Sequence, residues 1–403
     1  MRKWKILTAF SLVSLLVIGC GSKEESGESG MDIAGILEET ETTKDTEEQE
    51  TNLYPVTDKH DVKDGKVRSY LTGTMVDASV GNRRPIAVMI PNNKAALPQY
   101  GISKAGVIYE ACVEGRITRL MGIFEEFDEL DHIGPVRSSR DYFVYTALEF
   151  DAIYCHWGLA VPYVADLLNS DKVDNISQAN QGIKTPTPIA FDRIKRLGYA
   201  TEYTGYLFVD KLKEGVEKRG YSWNYREDFT PKFTFAPDGE HAEYKDKPEA
   251  LKLCPGTKGD KGGYGSMQAY FAYDAADGLY YRYQYGAKQV DELDGSQLSV
   301  RNVVFQYCHG EVRDNHDYLA FGVHGEGDCI VFTNGKMIKG YWRRWGGDKS
   351  PAKYYDEDGR EIVFNQGKTW ICNIWQEYGE YVEYGKDDTS LITPDMPSVK
   401  AAE

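Results

Sequence analysis

From Pro85 to about Lys218 the chain alternates short apolar runs with stretches of helical spacing. Pro85–Ile90, Gly106–Ala111 and Ile117–Phe127 are apolar almost without interruption, as strands buried on both faces are. Asp151–Trp157 reads as a further strand. Helices are predicted from Ser138 or Ser139 to about Phe150, over Val161–Asn169, and before Gly220. Ser138 with Asp141 approximates a capping box at the first of these. This pattern predicts an α/β domain over residues 80–222.

Beyond residue 225 the period shortens to two. Tyr-rich runs flank Asp274–Gly278 as a hairpin, and strands are expected at Arg301–His309, Asp317–Phe321, Cys329–Phe332, Gly340–Arg344, Glu361–Phe364 and Thr369–Ile374. Turn signals such as Asn334-Gly335 and Asp358-Gly359 separate them. The second domain, 225–384, is therefore expected to be mostly β, a sandwich or barrel. The whole is α+β, with Pro237–Gly265 as an exposed loop and 385–403 as a flexible tail.

The N-terminus changes the picture. Arg2, Lys3 and Lys5 precede the apolar run Ile6–Ile18, which is shorter than the roughly 20 residues a membrane-spanning helix needs. Residues 1–19 thus read as a signal peptide. Val17-Ile18-Gly19-Cys20 is similar to the lipobox of bacterial lipoproteins, which implies lipid on Cys20 and attachment to the outer face of the cytoplasmic membrane. Residues 20–66 follow as a tether. Between 21 and 50 it holds eleven acidic residues against two lysines, too few apolar groups to offset the entropy of ordering.

The formal charge of −16 excludes nucleic acid as a natural partner. Cys112, Cys155, Cys254, Cys308, Cys329 and Cys372 show no spacing of a disulfide framework or a metal site. Cys155-His156 and Cys308-His309 fall on strands, where adjacent side chains point to opposite faces, so no metal or other cofactor is expected. Tyr281, Tyr283 and Tyr285 share one side of a strand and read as sheet packing, with sugar stacking as the alternative.

The stretch Gly134-Pro135-Val136-Arg137-Ser138-Ser139-Arg140 is the strongest chemical candidate. A turn, two hydroxyls and two arginines at a helix start suit a phosphate or carboxylate, because the first helical N–H groups are unpaired and Arg grips such anions bidentately. Arg119, between apolar neighbours on a strand, also calls for an anionic partner. The alternative is that Arg119 or Arg137 pairs internally with Glu110 or Glu114. Glu114 and His156 are secondary candidates. An anion site suits a binding or scaffolding protein for a phosphorylated envelope polymer or precursor. An envelope enzyme acting on phosphodiester or glycosidic bonds, and a structural partner-binding lipoprotein, are the alternatives.

Several stretches carry a resemblance: Arg84–Ile90, Ala105–Glu110, Glu114–Arg119, Ile133–Arg140, His156-Trp157-Gly158, Asn302–Gln306, Phe332–Trp342 and Gly367–Ile371. In this order they resemble the YerB-like family of bacterial lipoproteins, a two-domain family that brings no activity with it. Arg116 stands where that family usually has Gly. Lys184–Pro188 replaces a stretch that usually ends in Pro-His-Asn.

Overall fold

The computed structural model describes residues 62–256 and 264–395. Cys20, the signal segment and most of the tether lie outside the described residues.

A ten-stranded mixed sheet runs through the molecule. Its order is Lys353–Asp356, Lys336–Arg344, Gly325–Thr333, Asn302–Cys308, Thr369–Trp375, Val107–Val113, Ile117–Phe124, Ile86–Pro91, Ile153–Trp157 and Asn175–Gln178. The middle strands are the continuous apolar runs of the sequence, buried at nearly every position because both faces of the sheet are covered.

On one face Val88, Leu120, Phe305 and Trp370 meet Phe271 and Tyr280 of a second, six-stranded sheet and Leu212 and Val216 of the helix Val209–Arg219. On the other, Met89, Tyr109, Met121 and Ile371 pack against Tyr142 and Phe143 of the helix Asp141–Leu148 and Val164 of Val161–Leu168. Each such side chain contributes about 1.5–3 kcal/mol on burial. The fold is α+β with a β-rich second half, in which two sheets face each other as in a sandwich.

The two sequence blocks do not close separate sheets. The Thr369–Trp375 strand lies parallel between Asn302–Cys308 and Val107–Val113, with Thr369 opposite Val107 and Asn373 opposite Ala111. Pro237–Gly265, expected as an exposed loop, contains the strand Lys252–Cys254, paired on both sides within the second sheet. At the ends of the described chain, Lys66–Arg68 pairs with Met75–Asp77, and Ile392 folds back onto Tyr384. The expected tether and tail therefore both run into ordered pairing. The six described cysteines are free and buried. No helix among the described residues is long and apolar enough to cross a membrane.

Candidate functional site

The strand Ile117–Phe124 sends alternate side chains to opposite faces, and Arg119 falls with Met121 and Ile123 on the face that the helix Asp141–Leu148 covers. It is 6% exposed. Its Nη1 donates to the carbonyl of Ser138 at 2.7 Å. Among the described residues no carboxylate lies within ion-pair distance of it. Burial lowers its pKa to about 9, and the guanidiniums of Arg140 and Arg137 push the same way.

The other two arginines are paired. Arg140, 8% exposed, grips Glu114 with Nε and Nη2, the former at 2.9 Å, donates Nη1 to the carbonyl of Ser139, and lies over the ring of Tyr318. Burial opposes its charge most, but the Glu114 hydrogen bonds together with the nearby Glu114, Tyr142 and Tyr318 outweigh that and raise its pKa. Arg137 bonds the Glu202 carboxylate at 2.9 Å and lies 5.3 Å from the centre of the Tyr203 ring. Three guanidiniums thus meet two carboxylates, and the one left over is the most deeply placed.

The serines do not cap the helix. It begins at Asp141 with Arg140 as its N-cap residue, and no side chain caps it. Asp141 instead fills the first turn, where its carboxylate offsets part of the terminal positive charge, and it also takes Arg313 at 2.6 Å. Ser139 is fully buried and accepts from the Tyr154 hydroxyl at 3.0 Å, while its N–H goes to Gly158 O. Ser138 contributes its carbonyl to Arg119, and its hydroxyl sits 2.7 Å from where a Cβ on Gly158 would stand. The expected anion cradle of free helical N–H groups with both hydroxyls is therefore reduced to the guanidinium of Arg119 and its surroundings.

Glu110 is also not a partner of this cluster. It lies on the opposite face of the sheet, fully buried, and takes Arg282. His156 is fully buried, its Nδ1 bonded to the carbonyl of Gly158 at 2.8 Å. Burial brings its pKa down to about 4, so it stays neutral and serves the strand-to-loop turn. No group of His, Cys, Asp and Glu among the described residues could hold a metal ion. Sequence reasoning missed Glu202, Tyr203, Arg313 and Tyr318, which come from distant segments and carry no local motif.

Two family descriptions match the chain: "Protein of unknown function (DUF3048) N-terminal domain" over residues 71–222 and the corresponding C-terminal domain over 262–371. A relative in Bacillus subtilis (strain 168), named "Putative lipoprotein YerB", is 26% identical over 371 residues, covering 92% of this chain and 95% of the relative. The crystal structure of the YerB protein from Bacillus subtilis superposes with a TM-score of 0.62 at 25% identity, covering 76% of this chain and 96% of that one. Sequence matches across both halves and a shared fold agree: the chain belongs to the DUF3048 family of YerB-like proteins.

Proposed function

We propose that this chain is a lipid-anchored envelope protein, held at Cys20 on the outer face of the cytoplasmic membrane, that binds an anionic group at Arg119. The name of the Bacillus relative and the lipobox-like Val17-Ile18-Gly19-Cys20 support the anchor. The anion is the phosphate of an envelope polymer or precursor. One observation carries the binding reading: Arg119 is a buried guanidinium with no carboxylate within ion-pair distance among the described residues, beside two further guanidiniums. An uncompensated buried charge costs several kcal/mol, and an incoming anion would offset that cost with charge-assisted hydrogen bonds.

Thermal melting of the parent and of Arg119→Met, with and without inorganic phosphate or pyrophosphate, tests this. A ligand that binds only the folded state stabilises it by RT ln(1 + [L]/Kd). The parent should melt higher with the anion. Arg119→Met should melt no lower than the ligand-free parent and gain nothing from the anion. A parent indifferent to both anions, with Arg119→Met unfolding several degrees early, would make Arg119 a structural residue.

A further inference from the structure

A cleft of about 550 Å³ opens beside Glu114. Its walls are the turn after the Val107–Val113 strand, the hairpin formed by Gly310–Val312 and Leu319–Phe321, and the segment after Thr369–Trp375. That volume is in the range of small-ligand sites, roughly 300–1,000 Å³. We propose that this cleft binds a neutral saccharide.

The floor is a fixed aromatic pair. Trp375 and Tyr378 stack with ring centres 5.4 Å apart at 28°. Trp375 donates Nε1–H to the carbonyl of Ala320 at 3.1 Å. Gly310 lies so close to the indole that a Cβ there would fall 1.9 Å from Nε1. The indole is therefore clamped between hairpin and turn, and the pair forms a rigid platform of the kind on which the C–H face of a pyranose stacks at small entropic cost.

The rim supplies the hydroxyl partners. Glu114 and Asp317 accept and Arg116 donates, which is the set that fixes the hydroxyls of a sugar. The Glu114 charge is offset by Arg140, and Arg116 and Asp317 are of opposite sign, so the cleft favours a neutral occupant over an ion. Both Arg116, with φ 56°, and Asp317, with φ 58°, stand in left-handed backbone. A long side chain such as that of Arg116 is strained there, whereas aspartate enters this region readily. Arg116 carries that strain at a position lining this cleft.

The saccharide reading is independent of the anion site, and its test uses neutral probes. Chitotriose and maltotriose, at up to millimolar concentration, are titrated calorimetrically into the full chain and into Tyr378→Ala, Asp317→Asn and Arg116→Gly. At least one trisaccharide should bind the parent. Tyr378→Ala and Asp317→Asn should each weaken it by roughly tenfold, the scale of one stacking or hydrogen-bonding contact, with the melting temperature unchanged. Asparagine tolerates the left-handed conformation of residue 317, so loss there reports the carboxylate and not the fold. Arg116→Gly should weaken binding while leaving the fold at least as stable. Arg119→Met should leave saccharide binding intact. If neither trisaccharide binds the parent, or binding survives both Tyr378→Ala and Asp317→Asn, the proposal is wrong. A failed phosphate response would remove the anion site and leave this one standing.

Discussion

Glu110 and Arg282 stand 172 residues apart in the chain and meet at 2.8 Å, both fully buried between the two sheets. The carboxylate also accepts from Trp370 Nε1 at 3.0 Å, Thr118 Oγ1 at 2.6 Å and Asn92 Nδ2 at 3.0 Å. The guanidinium lies against both the Phe271 and Trp370 rings, which themselves meet edge to face. One pair thus ties the strand Val107–Val113 of the first half to the second sheet and to the strand that joins the halves.

Removing one partner leaves the other charge buried, so Arg282→Met should cost about 3–5 kcal/mol and Glu110→Gln a comparable amount. The double variant buries no uncompensated charge, and urea unfolding should place it nearer the parent than the sum of the singles. Additive losses would mean that the two residues contribute through separate packing and not as a pair.

The middle strands of the large sheet were legible because continuous apolar runs have few other uses, and Val209–Arg219 because Gly220 supplies its left-handed C-cap at φ 68°. The site was legible in part. Arg119 on an apolar strand signals a charge that needs an explanation, and among the described residues only the Ser138 carbonyl bonds it, with no carboxylate within ion-pair distance. What could not be read was pairing. Nothing near Thr369 marks Val107 as its neighbour, and nothing near Arg137 marks Glu202. Lys252–Cys254 was hidden by its Gly- and Lys-rich flanks, since a three-residue strand has no period to detect. The serines misled because a Ser before an apolar helix usually caps it, whereas here Tyr154 and Gly158 claim Ser139 from the neighbouring strand and loop.

Two buried groups pull stability in opposite directions with pH. Burial raises Glu125 from its ordinary 4.5 to about 7, with Ser69 hydrogen-bonded to it and Glu126 and Arg83 nearby. The folded state then holds that proton more tightly, so stability falls as pH rises from 4.5 toward 7. His156, brought by burial from 6.5 to about 4, acts the other way: stability falls as pH drops from 6.5 toward 4. Glu125→Gln should therefore stabilise the chain relative to the parent at about pH 8, lose that advantage near about pH 4.5, and steepen the acid side of the profile. Melting curves across that range decide it. A difference between parent and variant that does not change with pH would show that Glu125 keeps an ordinary pKa in the fold.

Gly158 links the fold to the proposed anion site. Its φ is 84°, its carbonyl accepts from Ser139 N–H and His156 Nδ1, and a Cβ on it would stand 2.7 Å from Ser138 Oγ. Gly158→Ala therefore adds two separate penalties: left-handed backbone, about 1–2 kcal/mol, and a clash that must move Ser138. Because the Ser138 carbonyl holds Arg119, that movement should reach the guanidinium and reduce the stabilisation gained from phosphate. Adding Ser138→Ala separates the penalties. The nearest atom is then the Cβ of residue 138 at 3.5 Å, an ordinary contact, so the clash is gone while the backbone cost stays. The double variant should melt between the parent and Gly158→Ala and recover the phosphate response. Should it recover neither, the loss in Gly158→Ala comes from the backbone alone, and Ser138 does not position Arg119.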